Sequence, residues 1–239
     1  MKVDLHTHTI SSGHAFSTIN ENAQAASEKG IKLLAVTDHG PAVLGSLVNP
    51  YFFDCKNRTP QIIHGVRVLF GVEANIINAD GDLDLSEELL NKLDFVAVGF
   101  HADCGYVEQG IEKDTEVLIK VMQKPYVKII VHPYNNKIAI DMEKVALASI
   151  TNNVLLEINA SYFYRNYIKR EGCWERLTTM IRIFKENNQK MIIGSDAHHS
   201  SEVGRFEEVI ARFAELGITE DDVFNNDVAG VLKFLNIDQ

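Results

Sequence analysis

The chain of 239 residues carries 23 lysines and arginines against 33 aspartates and glutamates, a formal charge of −10, with 46% hydrophobic and 23% charged residues. That composition suits a globular fold large enough for one sizeable barrel, and it excludes gripping a polyanion with the protein's own charge. The three scattered cysteines, Cys55, Cys104 and Cys173, form no C-x-x-C pair and predict reduced thiols rather than a disulfide framework.

The opening residues, MKVDLHTHT, enter a strand at once, with no apolar signal core. No window approaches the roughly 18 apolar residues of a membrane span. A cytoplasmic protein is expected. Short apolar runs predict strands over 2–5, 31–37, 67–75, 94–100, 127–132, 153–159 and 189–195. Their near-continuous Val, Ile, Leu and Phe content suits a parallel sheet buried on both faces. Helical spacing fills the gaps at 18–30, 86–93, 112–124, 141–151, 173–188 and 201–217. The first of these has Thr18 at the N-cap, Glu21 in the capping-box position and Gly30 at its end. Segment 41–66 is irregular and is expected to cover one face as a loop or short helices. The tail, 219–237, predicts two terminal helices. Strand and helix alternate seven times, which defines an α/β fold, open or closed into a barrel.

Histidine placement on this map is far from random. His6 and His8 follow the first strand, and His14 lies in the loop beyond. His39 follows the second strand, His101 the fourth, His132 the fifth and His198 the seventh. Glu73 ends the third strand and Asp196 the seventh. In parallel α/β architectures the C-terminal strand ends share one face, where sites are built. A lone histidine after a strand is ordinarily a satisfied polar group. In H-x-H, however, residues i and i+2 point the same way, so His6 and His8 can aim at one point. Nine donors sorted to one rim predict a metal cluster. His64, in the irregular segment, and His199, diverging from its neighbour His198, are set aside. Imidazole and carboxylate without thiolate suit zinc, manganese or iron, and ligand softness alone leaves the three open, zinc being the expected ion. A catalytic zinc typically keeps about three protein ligands, so nine suggest three ions.

Read together, DLHTHT, TDHG, GVEANI, GFH, VHP and SDAHH resemble the PHP (polymerase and histidinol phosphatase) family, in particular its small stand-alone YcdX-like branch of probable metal-dependent phosphatases. The motifs run from residue 4 to residue 199. The resemblance implies one domain over 1–239, a distorted seven-stranded (β/α)7 TIM-like barrel with the metal site at the C-terminal strand ends. It implies a trinuclear site: His6, His8, Glu73 and Asp196 for the first ion, His14, His39 and His198 for the second, and His101 and His132 for the third, with Glu73 bridging. A trimer is implied by resemblance alone.

The chemistry expected is hydrolysis of a phosphate monoester by direct attack of a metal-bound hydroxide on a small phosphorylated substrate. Asp38 is a candidate partner behind the ligands or a proton carrier, with a helix cap as the bland alternative. Arg58, Arg165 and Arg205 are candidate phosphate contacts. Tyr162, Phe163 and Tyr164 are candidates for a leaving-group pocket, against ordinary loop packing. The rim loops 41–66, 102–112 and 160–172 would set specificity. The rival readings are an amidohydrolase-type metal hydrolase, which commonly adds a bridging lysine at strand four where this chain has His101, and a metal-binding regulatory or structural module without turnover.

Overall fold

Each apolar run becomes a strand, and the chain departs from that plan where distant partners intervene. The computed structural model describes residues 1–48 and 50–238; Asn49, within the irregular segment 41–66, and Gln239 lie outside the described residues. The described residues form nine strands: β1 (Val3–Asp4), β2 (Leu33–Val36), β3 (Ile62–Ile63), β4 (Val66–Phe70), β5 (Val72–Asn75), β6 (Val96–Gly99), β7 (Val127–Ile130), β8 (Leu155–Asn159) and β9 (Ile192–Gly194). Their helices are α1 (Ile19–Glu28), α2 (Pro50–Arg58), α3 (Glu87–Leu90), α4 (Ile111–Met122), α5 (Met142–Asn152), α6 (Ser161–Tyr164), α7 (Cys173–Glu186), α8 (Glu207–Ile210), α9 (Phe213–Leu216) and α10 (Val228–Leu235).

The strands make two sheets, ordered β1-β2-β4-β3 and β5-β6-β7-β8-β9. All pairings are parallel except β3 with β4. One ring of seven strands was expected, and the difference has two sources. The predicted strand 67–75 is divided at Gly71: β4 pairs with β2 and β5 with β6. The irregular segment adds β3, a two-residue antiparallel edge, and the helix α2. Strands β2, β5, β6, β8 and β9 are buried at every position, which is why they read as unbroken apolar runs.

Two apolar clusters flank the sheets. Val3, Leu33, Ala35, Leu69, Ala97, Ile129, Leu155 and Ile192 come from strands of both sheets and pack with Val231, Leu232 and Leu235 of α10. A larger cluster joins the other strand faces to α1, α4, α5 and α7. Local signals start the helices. Thr18 and Glu21 form the expected capping box, and Ser86 and Asp141 cap α3 and α5 through side-chain oxygens.

The predicted helix 201–217 is instead a 3-10 turn at Ser200–Glu202 followed by α8 and α9. Asp4, buried at the end of β1, accepts from the Gly204 N–H at 2.8 Å and the Ser195 N–H at 3.1 Å. Burial raises the Asp4 pKa, and these hydrogen bonds oppose the rise. Gly204, at φ +63°, serves Asp4 instead of a helix. The tail yields one α-helix, α10, after 3-10 turns at Glu220–Asp222 and Phe224–Asn226.

Those turns deliver Asn225 to the seam between β1 and β9. Its Nδ2 donates to the carbonyls of Val3 (2.9 Å) and Ile193 (2.7 Å), and its Oδ1 accepts from the Ile193 N–H (2.8 Å). Farther along, Thr7 and Ala197 form a parallel bridge. Asn225→Ala would orphan buried backbone groups on both strands. Its expected cost is on the order of 3 kcal/mol, read as a lower denaturant midpoint; a wild-type midpoint would show that the seam does not rely on this residue.

Candidate metal centre

At the C-terminal strand ends the structure gathers all nine residues named from the sequence: His6, His8, His14, His39, Glu73, His101, His132, Asp196 and His198. Glu73, fully buried on β5, is the hub. Its Oε1 lies 2.9 Å from His101 Nε2 and 3.0 Å from His132 Nε2. Its Oε2 lies 2.8 Å from His39 Nδ1, 3.3 Å from His8 Nε2 and 3.4 Å from His6 Nε2. Asp196 Oδ1 stands 3.2 Å from His8 Nε2 and 3.6 Å from His6 Nε2. His14 joins through His198, Nε2 to Nε2 at 3.0 Å.

Backbone geometry makes room for this convergence. A Cβ on Gly99 would lie 3.0 Å from the His132 ring and 3.1 Å from the His101 ring, so glycine there lets both imidazoles reach Glu73. His132 (φ +32°) and Asp196 (φ +54°) occupy the left-handed region, which costs on the order of 1 kcal/mol each for side chains that seldom adopt it. Strain at two of the nine donors is a mark of a functional site.

Hydrogen bonds behind the rings decide which nitrogens face inward. His6 Nδ1 donates to Glu157 Oε1 at 2.6 Å. Ser12 Oγ donates to Asp38 Oδ1 at 2.7 Å and so accepts from His8 Nδ1 at 3.0 Å. His198 Nδ1 donates to the Asp196 carbonyl at 2.9 Å. Each ring then turns its Nε2 towards the cluster. His6 and His8 meet Nε2 to Nε2 at 3.1 Å, as His14 and His198 do at 3.0 Å. Opposed ring nitrogens at this distance require a proton or a cation between them. His39 Nδ1 and Glu73 Oε2, although 2.8 Å apart, are both buried without a hydrogen-bond partner, so they point towards common space rather than at each other.

Charge states agree with that geometry. Burial would raise the Glu73 pKa, but His101, His39 and His6 hold it well below the carboxylate range. Asp196 is likewise held down against burial, by His6 and then the His8 hydrogen bond. Burial, reinforced by neighbouring imidazoles, pushes His8 well below the usual histidine range and lowers His14; burial also lowers His101, against the pull of Glu73. For His6 and His132 burial is outweighed, by Glu157 and Glu73 respectively, and their pKa values rise. Ionised carboxylates among imidazoles, without thiolate, fit a borderline divalent cation such as zinc. Three triads hold donor atoms within 4.8 Å of one another: His8, His39 and His198; His6, His8 and Asp196; His39, Glu73 and His101.

Other residues named from the sequence fall elsewhere. Asp38 caps no helix. Its carboxylate accepts from Thr9 N (2.6 Å), Thr9 Oγ1 (2.8 Å), Ser12 Oγ (2.7 Å) and Tyr51 OH (2.7 Å), behind His8 and away from the cleft. Arg58 pairs with Asp54, and Arg205 with Glu208 beside the Tyr164 ring. Arg165 pairs with Glu202 at the margin. Phe163 is core, whereas Tyr162 lines the cleft. His64 bonds Asn20, and His199 caps a 3-10 turn.

Glu157 went unread in the run NVLLEIN. Besides His6 it accepts from the His132 N–H at 2.8 Å and Asn159 Nδ2 at 3.1 Å. A charged residue inside an apolar strand was the available signal. Asn159 also donates to Asp196 Oδ2 at 3.2 Å. The open cleft above the cluster, about 330 Å³, is further lined by Lys137, Tyr167 and Arg170, also unread.

Fold and site together define an α/β protein with a histidine–carboxylate cluster at the ends of its parallel strands. The PHP domain model matches residues 4–192, and the chain belongs to that family. It is 44% identical over 233 residues to a "probable phosphatase" of Thermoanaerobacter sp. strain X514, covering 98% of this chain and 94% of the relative. It is 42% identical over 228 residues to one of Acetivibrio thermocellus, covering 95% and 91%. Its fold resembles histidinol phosphate phosphatase from Lactococcus lactis, solved with zinc, L-histidinol and phosphate. The TM-score is 0.60 at 14% identity, covering 91% of this chain and 94% of that one.

Glu157→Gln keeps the shape but removes the charge that orients His6. Metal affinity is expected to fall about ten- to a hundredfold in titration against a competing chelator. Gly194→Ala, whose Cβ would strike Glu157 and His6, should act in the same direction. Unchanged affinity in both would remove Glu157 from the site.

Proposed function

We propose that this chain is a metal-dependent phosphatase acting on phosphate monoesters of small molecules, with three divalent ions, zinc first among them, in the histidine cluster. The observation that carries this reading is Glu73, whose two oxygens each face imidazoles from different strand ends. The phosphatase names of relatives matching nearly the whole chain support it. His6, His8, Glu73 and Asp196 would hold one ion, His14, His39 and His198 a second, and His101 and His132 a third that shares Glu73. We further propose that the Gly71 division and the Thr7–Ala197 bridge are the two seams of a distorted seven-stranded barrel, and that residues 1–239 act as one domain.

When bound, such ions supply Lewis acidity and a water of lowered pKa, ~7 in catalytic zinc sites, as nucleophile for a phosphate ester. The chain's own part is positional. Glu157 fixes the proton of His6 on Nδ1, and Ser12, held by Asp38, does the same for His8. Asn159 occupies Asp196 Oδ2, leaving Oδ1 towards the cluster. Phe100, Tyr162 and Tyr167 wall the cleft beside the cluster.

Protein purified without chelator should release phosphate from para-nitrophenyl phosphate and from some members of a phosphate-ester panel. Chelator should abolish the activity, and added zinc or manganese should restore it. His14→Ala is expected to lose about one ion and to lower kcat/KM by on the order of a hundredfold, the scale of one lost charge-stabilising group. Metal-loaded protein inactive across the panel would contradict the phosphatase reading and favour the non-catalytic module. Amide or lactone hydrolysis in its place would favour the amidohydrolase.

A further inference from the structure

We infer that Arg170 and Lys137 form a second anion-binding subsite, so that the preferred substrate is a phosphate monoester bearing a further carboxylate or phosphate. The inference rests on the phosphatase reading. The cleft has two lobes, which share His14, Ser161, Tyr167, Asp196 and His198. In one lobe the arginine, Arg165, is neutralised by Glu202 at 2.9 Å. In the other, neither Arg170 nor Lys137 has a salt-bridge partner among the described residues, although both line the cleft.

Arg170 rests on an aromatic face. Its guanidinium carbon stands 3.8 Å over the Tyr167 ring. Tyr167 meets Tyr162 edge-on at 5.7 Å, and Tyr162 stacks on His132 of the cluster at 6.2 Å. The guanidinium is therefore set off from the cluster by two aromatic rings, displaced from where the reacting phosphoryl group would lie. A ring face occupies none of its five N–H donors. Two cations without an acidic partner beside a pocket that is itself cationic when loaded are repelled by the ions. An anion spanning from the cluster to this wall relieves that repulsion, and a single phosphate held at the cluster does not supply it. Asn135 and Tyr162 line the same lobe and offer polar groups to a linker between the two anionic ends.

The test is kcat/KM of metal-loaded protein on two matched pairs: 3-phosphoglycerate against glycerol 3-phosphate, and fructose 1,6-bisphosphate against fructose 6-phosphate. The doubly anionic member of at least one pair should be preferred about 10- to 100-fold, the scale of charge-assisted hydrogen bonds. Which pair responds distinguishes carboxylate from phosphate. Arg170→Ala and Lys137→Ala should bring that ratio towards one, and Arg170→Lys should keep part of it. Both side chains are exposed, so folding is not at stake. Ratios near one in the wild type, or a preference intact in both alanine variants, would overturn the subsite while leaving the phosphatase reading in place. Hydrolysis of none of the four esters, nor of para-nitrophenyl phosphate, would remove that reading and the subsite with it.

Discussion

A carboxylate with no exposed surface has to be compensated, and Glu73 is surrounded by five imidazoles within 3.4 Å. No one strand could supply them. His6 and His8 arrive after β1, His39 after β2, His101 after β6 and His132 after β7, so the parallel register of both sheets has to end at the same height. The backbone of Glu73 enforces this: its N–H donates to the Asp38 carbonyl at 3.1 Å, and its carbonyl accepts from the Gly40 N–H at 2.9 Å. Residue 73 thus ties the end of β2 to the second sheet while its side chain collects the rings of both.

Such a cluster is expensive without a cation. Two pairs of ring nitrogens face one another, buried polar atoms lack partners, and two backbone positions sit at positive φ. Each is a cost of order 1–3 kcal/mol. It persists because rigid elements on every side hold the donors: the fully buried strands, the Asp38 bonds to the loop that carries Ser12, and the Glu157 bonds linking His6 to His132. The cost becomes intelligible when ions take up the inward-facing donors, because their binding energy then falls on a site already shaped for them.

Much of this was legible in the sequence, for a definite reason. Donors at strand ends in a parallel fold share a rim, so the order of histidines along the chain carries three-dimensional information. The helix starts at Thr18 and Asp141 were equally readable, because a cap is a local contact. What was not legible depends on distant partners. The division at Gly71 reflects a change of pairing from β2 to β6. The break near Gly204 reflects a hydrogen bond to Asp4, 200 residues away. Glu157 reads as one polar letter in an apolar strand because His6 lies 151 residues earlier. The three arginines named from the sequence are engaged by acids on the surface or margin, while Arg170 and Lys137, on segments without periodicity, carried no sign that they line the cleft.

The most direct measurement is the number of ions per chain, by native mass spectrometry, in wild-type protein and in Glu73→Gln, with circular dichroism to establish that the variant folds. Glu73 is the shared carboxylate of two of the three proposed ions. Three ions in the wild type and one in the folded variant, left with His14, His39 and His198, are expected. Fewer than three in the wild type, or a folded variant that loses one ion or none, would contradict the arrangement around Glu73.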